Sequence, residues 1–293
     1  MMGVRFSSIL ALAVTSVITA QSVAAEDMSR FLEAIQLLER STPGAKLVQK
    51  AMQVWKVKDE RSFAHTFEWG VNSKTDTVLT RYYNPVTHEE TRERETKVYL
   101  RARQDLVDLT LDMAHELVHA TSRPIFDPYD ASLTPRKYVQ AQIEGIGGEV
   151  DAVLMECQVA YEFWNKLGIA TKRCAQLLYP RTNKNSDELS GLKQKIETEF
   201  YRVGRWYTEL VHRMGNDVLL IPQLSNHLPR YLSSTGRAPY PIALLNEYEE
   251  LTSIACKNSK IRILNSQSGA ETDDHKKVQV DLSQQFISKR CPQ

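Results

Sequence analysis

Apolar positions along the chain follow two different periods. Phe31, Ile35, Leu37 and Leu38 recur every three or four residues and predict an amphipathic helix over residues 28–40. Ser41-Thr42-Pro43-Gly44 breaks it, and a second helix is expected over 45–56. The texture then changes. Residues 67–70, 77–83 and 96–100 are β-branched and aromatic runs, separated by Asn72-Ser73, Asn84-Pro85 and a charged segment over 88–95. They predict two or three strands of a small antiparallel sheet. Between 104 and 121, Leu106, Val107, Leu109, Leu111, Met113, Leu117 and Val118 cover most of a helix circumference, so this helix is expected to be buried. Thr134-Pro135 is a good N-cap and first-turn pair. It opens a helix expected to run unbroken to about residue 167, closed by Gly168.

Beyond Gly168 the same rules predict a short helix over 171–178, a longer one from Ser186-Asp187-Glu188 to about residue 214, and another over 241–254. Lys260-Ile261-Arg262-Ile263 and the alternating run at 277–282 read as a terminal β-hairpin. The whole is an α+β chain divided as a leader (1–25), N-terminal helices (26–64), a mixed core (65–168), a helical extension (169–255) and a β-hairpin tail (256–293).

Composition narrows the setting. Residues 1–25 carry Arg5, an apolar stretch over 9–20 and small residues at Val23-Ala24-Ala25, the pattern of a cleaved secretory signal. The protein is therefore expected to be exported, periplasmic or secreted, with no stable membrane span in the mature chain. Lys plus Arg number 37 against 36 acidic residues. Loss of Arg5 with the leader evens the two, and no basic stripe appears, so nucleic acid is not an expected partner. Cys157, Cys174, Cys256 and Cys291 lack metal-site spacing and suit disulfides in an oxidising compartment. Three pairings are possible. Cys157–Cys174 with Cys256–Cys291 is the leading one, because each closes a local loop.

The candidate chemistry lies in the buried helix, which reads His115-Glu116-Leu117-Val118-His119. Histidines four apart on a helix project from one face, so both imidazoles can reach one ion. Glu116 sits beside that position as a proton acceptor. A third ligand is expected from the following helix, in the window 144–152, where Glu149 is the first choice and Glu144 the runner-up. With no histidine in that window, the site belongs to the class of two histidines and one carboxylate, and the expected ion is Zn²⁺. Asp151 is a candidate to orient a ligand histidine through its second N–H.

HExxH is the pattern of zinc metallopeptidases, and a short sheet followed by the HExxH helix resembles the upper part of the zincin fold. The Glu149-Val150-Asp151-Ala152 segment resembles the Glu-x-acid-Ala pattern on the glutamate helix of small gluzincins. The resemblance spans about residues 65–165. It departs from thermolysin-like enzymes, whose glutamate lies in Asn-Glu-x-x-Ser-Asp, and from metzincins, which add a third histidine. It implies a zincin-like core, a small antiparallel sheet packed on the HExxH helix and a glutamate helix. In such a core residues 96–101 would be the cleft strand that pairs with an extended substrate, unless a neighbour covers it. It also implies hydrolysis of a peptide or protein substrate with Glu116 as general base. An oxyanion stabiliser in that class is often Tyr, His or Arg; Tyr201, Tyr207 and His212 are of the right type, but core or surface roles suit them better. The alternative is a non-catalytic envelope or secreted binding protein that keeps the fold and a structural metal.

Overall fold

The computed structural model describes residues 28–83, 90–124, 126–178, 191–221, 223–233, 236–267 and 274–291. The expected leader (1–25) and the expected helix start at Ser186 lie outside these residues. Among the described residues the chain is mixed α+β, mostly helical, with one three-stranded sheet. Its described residues divide into two compact units, one formed by those among 28–76, 97–117 and 155–174, the other by those among 77–96, 118–154 and 175–291.

In the first unit, α1 (28–39) and α2 (Thr42–Trp55) are separated at Ser41, whose hydroxyl accepts from the Gly44 N–H at 3.1 Å and caps α2. Asp59 caps the short α3 (Glu60–Ala64) through Ser62 N–H at 2.8 Å. Phe67 packs against Phe31 and Phe63 with ring centroids 5.8 and 5.2 Å away, and β1 (Phe67–Gly70) enters the core on this cluster. The other strands are β2 (Lys74–Tyr83) and β3 (Glu90–Arg101), in the order β1-β3-β2.

One expectation fails here. β1 and β3 run parallel, Phe67 opposite Val98 and Gly70 opposite Arg101, so the sheet is not antiparallel throughout. The reason is that the bend at 71–73 joins strands that are not neighbours. β3 is inserted between them and meets β1 across a connection long enough for parallel pairing. The same pairing decides what the sequence left open: Val98–Arg101 is paired with β1 on a central strand, so a neighbour covers residues 96–101 and they are not a free edge for substrate.

Helix α4 (Leu106–Ser122) is buried over Leu109, Leu111, Met113, Ala114 and Leu117, as its apolar circumference requires. The long helix expected after it is two helices, α5 (Pro135–Ile143) and α6 (Glu149–Leu167). Glycines divide them. Gly147 has φ +67°, and a Cβ there would lie 2.5 Å from the Arg123 nitrogen. Only glycine fits both the left-handed backbone and that approach. Gly147→Ala is expected to destabilise the second unit by about 1–3 kcal/mol, read as a lowered urea midpoint of the metal-free protein. Glu149 therefore opens α6 rather than lying inside a helix.

In the second unit, the short helix expected over 171–178 is α7 (Ala175–Leu178), and the helix expected up to residue 214 is interrupted at Tyr201–Gly204 between α8 (Leu192–Phe200) and α9 (Tyr207–Met214). Phe200 stacks on Tyr231 at 4.1 Å. The expected terminal β-hairpin is instead a pair of helices, α10 (Tyr240–Gln267) and α11 (Asp274–Arg290). The alternation at 260–263 misled because no sheet face buries it; Ile261 is 44 % exposed. What is buried is Ala255, Cys256 and Phe286, one packing site from each helix, tied by the Cys256–Cys291 disulfide. Cys157–Cys174 is the other disulfide, so both local loops are closed. Such pairs fit an oxidising compartment. Among the described residues no helix is long and apolar enough to cross a membrane.

Candidate metal centre

Helix α4 carries His115 and His119 one turn apart, and the side-chain donors of His115, His119 and Glu149 lie within 4.8 Å of one another. His119 and Glu149 are buried, and the His115 side chain is 16 % exposed. His119 Nε2 is 3.4 Å from Glu149 Oε1. That is the separation, about 3.4 Å, of two donors held about 2.1 Å from one tetrahedral zinc. Two imidazoles and a carboxylate are donors of the type that could hold a metal ion, and this one pair stands at a coordinating separation.

The other imidazole nitrogens point away from this meeting place. His119 Nδ1 lies 2.8 Å from the Gly147 carbonyl, which can only accept, so the tautomer with Nδ1–H would donate there and leave the Nε2 lone pair for an ion. Arg123 Nη2 is 3.0 Å from the same Nδ1, where in that tautomer no lone pair faces it. Arg123 serves instead the Gly147 carbonyl at 3.3 Å and Glu149 Oε1 at 3.4 Å. His115 Nδ1 faces Glu156 Oε2 at 3.4 Å. Acceptors of this kind, behind each ring, fix which nitrogen is offered to a metal.

Glu116 is buried, and its Oε2 accepts a hydrogen bond from Thr75 Oγ1 at 2.8 Å. Ser73 donates in the same way to Asp112. Residues two apart on an extended chain advance about 6.7 Å, and residues four apart on a helix about 6 Å. Ser73 and Thr75 therefore match Asp112 and Glu116 rung for rung. Arg173 completes this network, bonding both Asp112 and, through Nε at 2.8 Å, Glu156 Oε1.

Burial pushes the Asp112 carboxyl upward, but Arg173 and Ser73 more than offset this and hold it below 3.8. A carboxyl lowered by folding stabilises the fold above its unfolded pKa and loses that contribution as pH falls through the folded value. Asp112→Asn should therefore flatten the decline in stability below pH 3.8, measured by urea unfolding across the acid range.

Not every expected residue joins the centre. Glu144, the runner-up ligand, caps α5 and accepts from the buried Tyr201 hydroxyl instead. Burial beside Glu144 pushes the Tyr201 phenol far up, so it stays protonated as that donor. Asp151 does not orient a histidine: its Oδ2 accepts from the Gly147 N–H at 3.0 Å and its Oδ1 pairs with Lys193 at 2.8 Å. It lies in the first turn of α6, aimed back at the glycine turn, because the helix starts at Glu149. Glu156, Arg173, Thr75 and the Gly147 carbonyl were not legible as site residues. The one available hint was that Glu156 falls seven residues after Glu149, two turns along the same helix face.

Comparisons with protein-family models, with curated proteins and with solved structures find no match.

Proposed function

We propose that this chain is an exported zinc-dependent peptidase. The observation that carries the reading is the meeting of His115, His119 and Glu149 within 4.8 Å, on the helix that also bears the buried Glu116. Among the described residues the group has three donors, one fewer than a closed structural zinc site uses. His115, His119 and Glu149 would hold the ion through Nε2, Nε2 and a carboxylate oxygen. Zinc, when bound, supplies a Lewis acid for a scissile carbonyl and a water of lowered pKa.

The remaining work falls to the protein's own groups. Glu116 accepts a proton from the attacking water and passes it to the leaving amine, the role of a general base that becomes a general acid. Thr75 holds the Glu116 carboxylate in one orientation. The Gly147 carbonyl holds the tautomer of His119. The two disulfides suit a protein that works outside the cytoplasm.

The test is metal analysis of the purified chain lacking residues 1–25, alongside cleavage of a broad peptide library. Near-stoichiometric zinc, cleavage abolished by a chelator and cleavage restored by zinc are expected. Zinc bound without cleavage would favour the non-catalytic binding protein, and a chain that takes up no zinc would end the peptidase reading.

A further inference from the structure

We propose that Glu156, gripped by Arg173 and flanked with it by the Cys157–Cys174 disulfide, is a positioning residue for His115, and that this disulfide thereby sets how tightly the centre holds its metal. The inference rests on the peptidase reading only in taking His115 as a zinc ligand.

The chain of contacts is short. His115 Nδ1 faces Glu156 Oε2 at 3.4 Å, and Glu156 Oε1 receives Arg173 Nε at 2.8 Å. The 3.4 Å separation is a few tenths of an ångström beyond a settled hydrogen bond. Arg173 is anchored in turn on Asp112 and on the Asp108 carbonyl at 3.2 Å. Asp112 lies one turn before His115 on α4. The arginine thus ties the helix bearing His115 to the carboxylate behind that histidine's ring.

Both partners are next to half-cystines. Glu156 precedes Cys157, and Arg173 precedes Cys174. The Glu156 side lies on α6, an element that packs Cys157 fully buried. The Arg173 side lies in a turn, and there the backbone is not self-sufficient. Cys174 has φ +57°, a left-handed conformation that a residue with a Cβ adopts only when its surroundings impose it. Thr171 Oγ1 accepts from the Arg173 N–H at 3.1 Å, and the disulfide supplies the other restraint. Without the disulfide the turn can relax, Arg173 moves, and Glu156 loses its grip and its fixed distance to His115. A carboxylate behind a ligand imidazole fixes its tautomer and raises its basicity, which is why losing one weakens metal binding.

The test uses zinc competition titration against a chromophoric chelator, with circular dichroism to establish folding. Glu156→Ala should bind zinc about 10–100-fold more weakly than wild type. Glu156→Gln should fall between them, because its carbonyl still accepts from Nδ1 but no longer pairs with Arg173. In the metal-free protein, nitrogen NMR should find His115 protonated at Nδ1, and a tautomer mixture in Glu156→Ala, a readout that a merely structural role would not move. Cys157→Ala combined with Cys174→Ala should weaken zinc severalfold. Cys256→Ala with Cys291→Ala, compared where it is folded, should not. If the first pair does not fold, Arg173→Lys replaces it, keeping the charge but removing the fork between Asp112 and Glu156, with the same severalfold loss expected. A folded Glu156→Ala with wild-type zinc affinity and tautomer overturns the inference and leaves the peptidase reading standing. Equal losses in both disulfide variants overturn the coupling. A wild-type chain that binds no zinc overturns the two together.

Discussion

Replacing Glu116 by glutamine is expected to leave zinc bound and to lower peptide hydrolysis by about 10²–10⁴-fold, the usual worth of a general base. Glutamine keeps the size of the side chain and a carbonyl oxygen that can still accept the Thr75 hydroxyl, now 2.8 Å from Oε2. Packing around this buried position should therefore persist, and thermal stability should stay close to wild type. What disappears is the basic oxygen. Glu116 is not among the three donors that meet, so metal content is not expected to change. Measured together, zinc stoichiometry, Tm and the rate of cleavage separate the base from a ligand. Wild-type activity in Glu116→Gln would mean that the hydrolysis comes from another site or a contaminant. Thr75→Val gives a milder companion result. It removes the hydrogen bond without touching the carboxylate, so a smaller rate loss with zinc unchanged is expected.

The second large effect is on the metal. With zinc at about a thousand times its Kd, the wild-type fold should gain about 4 kcal/mol. His119→Ala is expected to gain almost none of this. It removes one of three donors and also the ring that bonds the Gly147 carbonyl at 2.8 Å, so the glycine turn before α6 loosens as well. Its metal-free form should accordingly be less stable than metal-free wild type, which is not expected of Glu149→Ala to the same degree. Glu149→Ala should lose most of the zinc, because its Oε1 sits 3.4 Å from His119 Nε2. Glu144→Ala should keep zinc fully and lose stability alone, since Glu144 is spent on the Tyr201 hydroxyl. Denaturation with and without zinc, run on the four proteins, reads all of this. Retention of zinc by Glu149→Ala and its loss from Glu144→Ala would move the carboxylate ligand to α5.

Some of this was already written in the linear chain. The period of Leu109, Leu111, Met113 and Leu117 demands a buried helix, and any α-helix through 111–120 brings His115 and His119 to one face, since four residues make about one turn. Local loop closure named both disulfides for the same reason: short loops lose little entropy when closed, so near cysteines meet first. These are properties of neighbours in sequence, governed by local geometry.

Tertiary structure decided the rest. The strand order β1-β3-β2 depends on where β3 inserts, which no period-2 pattern encodes, and it removed the free edge at 96–101. The runs at 260–263 and 277–282 alternate like strands, yet they lie in helices because the core at Cys256 and Phe286 rewards helical packing, and intrinsic strand preference is weak beside burial. The sequence pattern predicts one helix through the glycine-rich residues 144–148; only the approach of the Arg123 backbone to Gly147 shows why the chain must turn there. That turn exchanged the partners of Asp151 and brought Glu149 to His119. The pairing of Glu156 with His115, and of Arg173 with Glu156 and Asp112, joins residues far apart in the chain. Charge and position along the sequence fix that a carboxylate needs a partner, but only the packing of α6 and the turn at Arg173 against α4 fixes which one it finds.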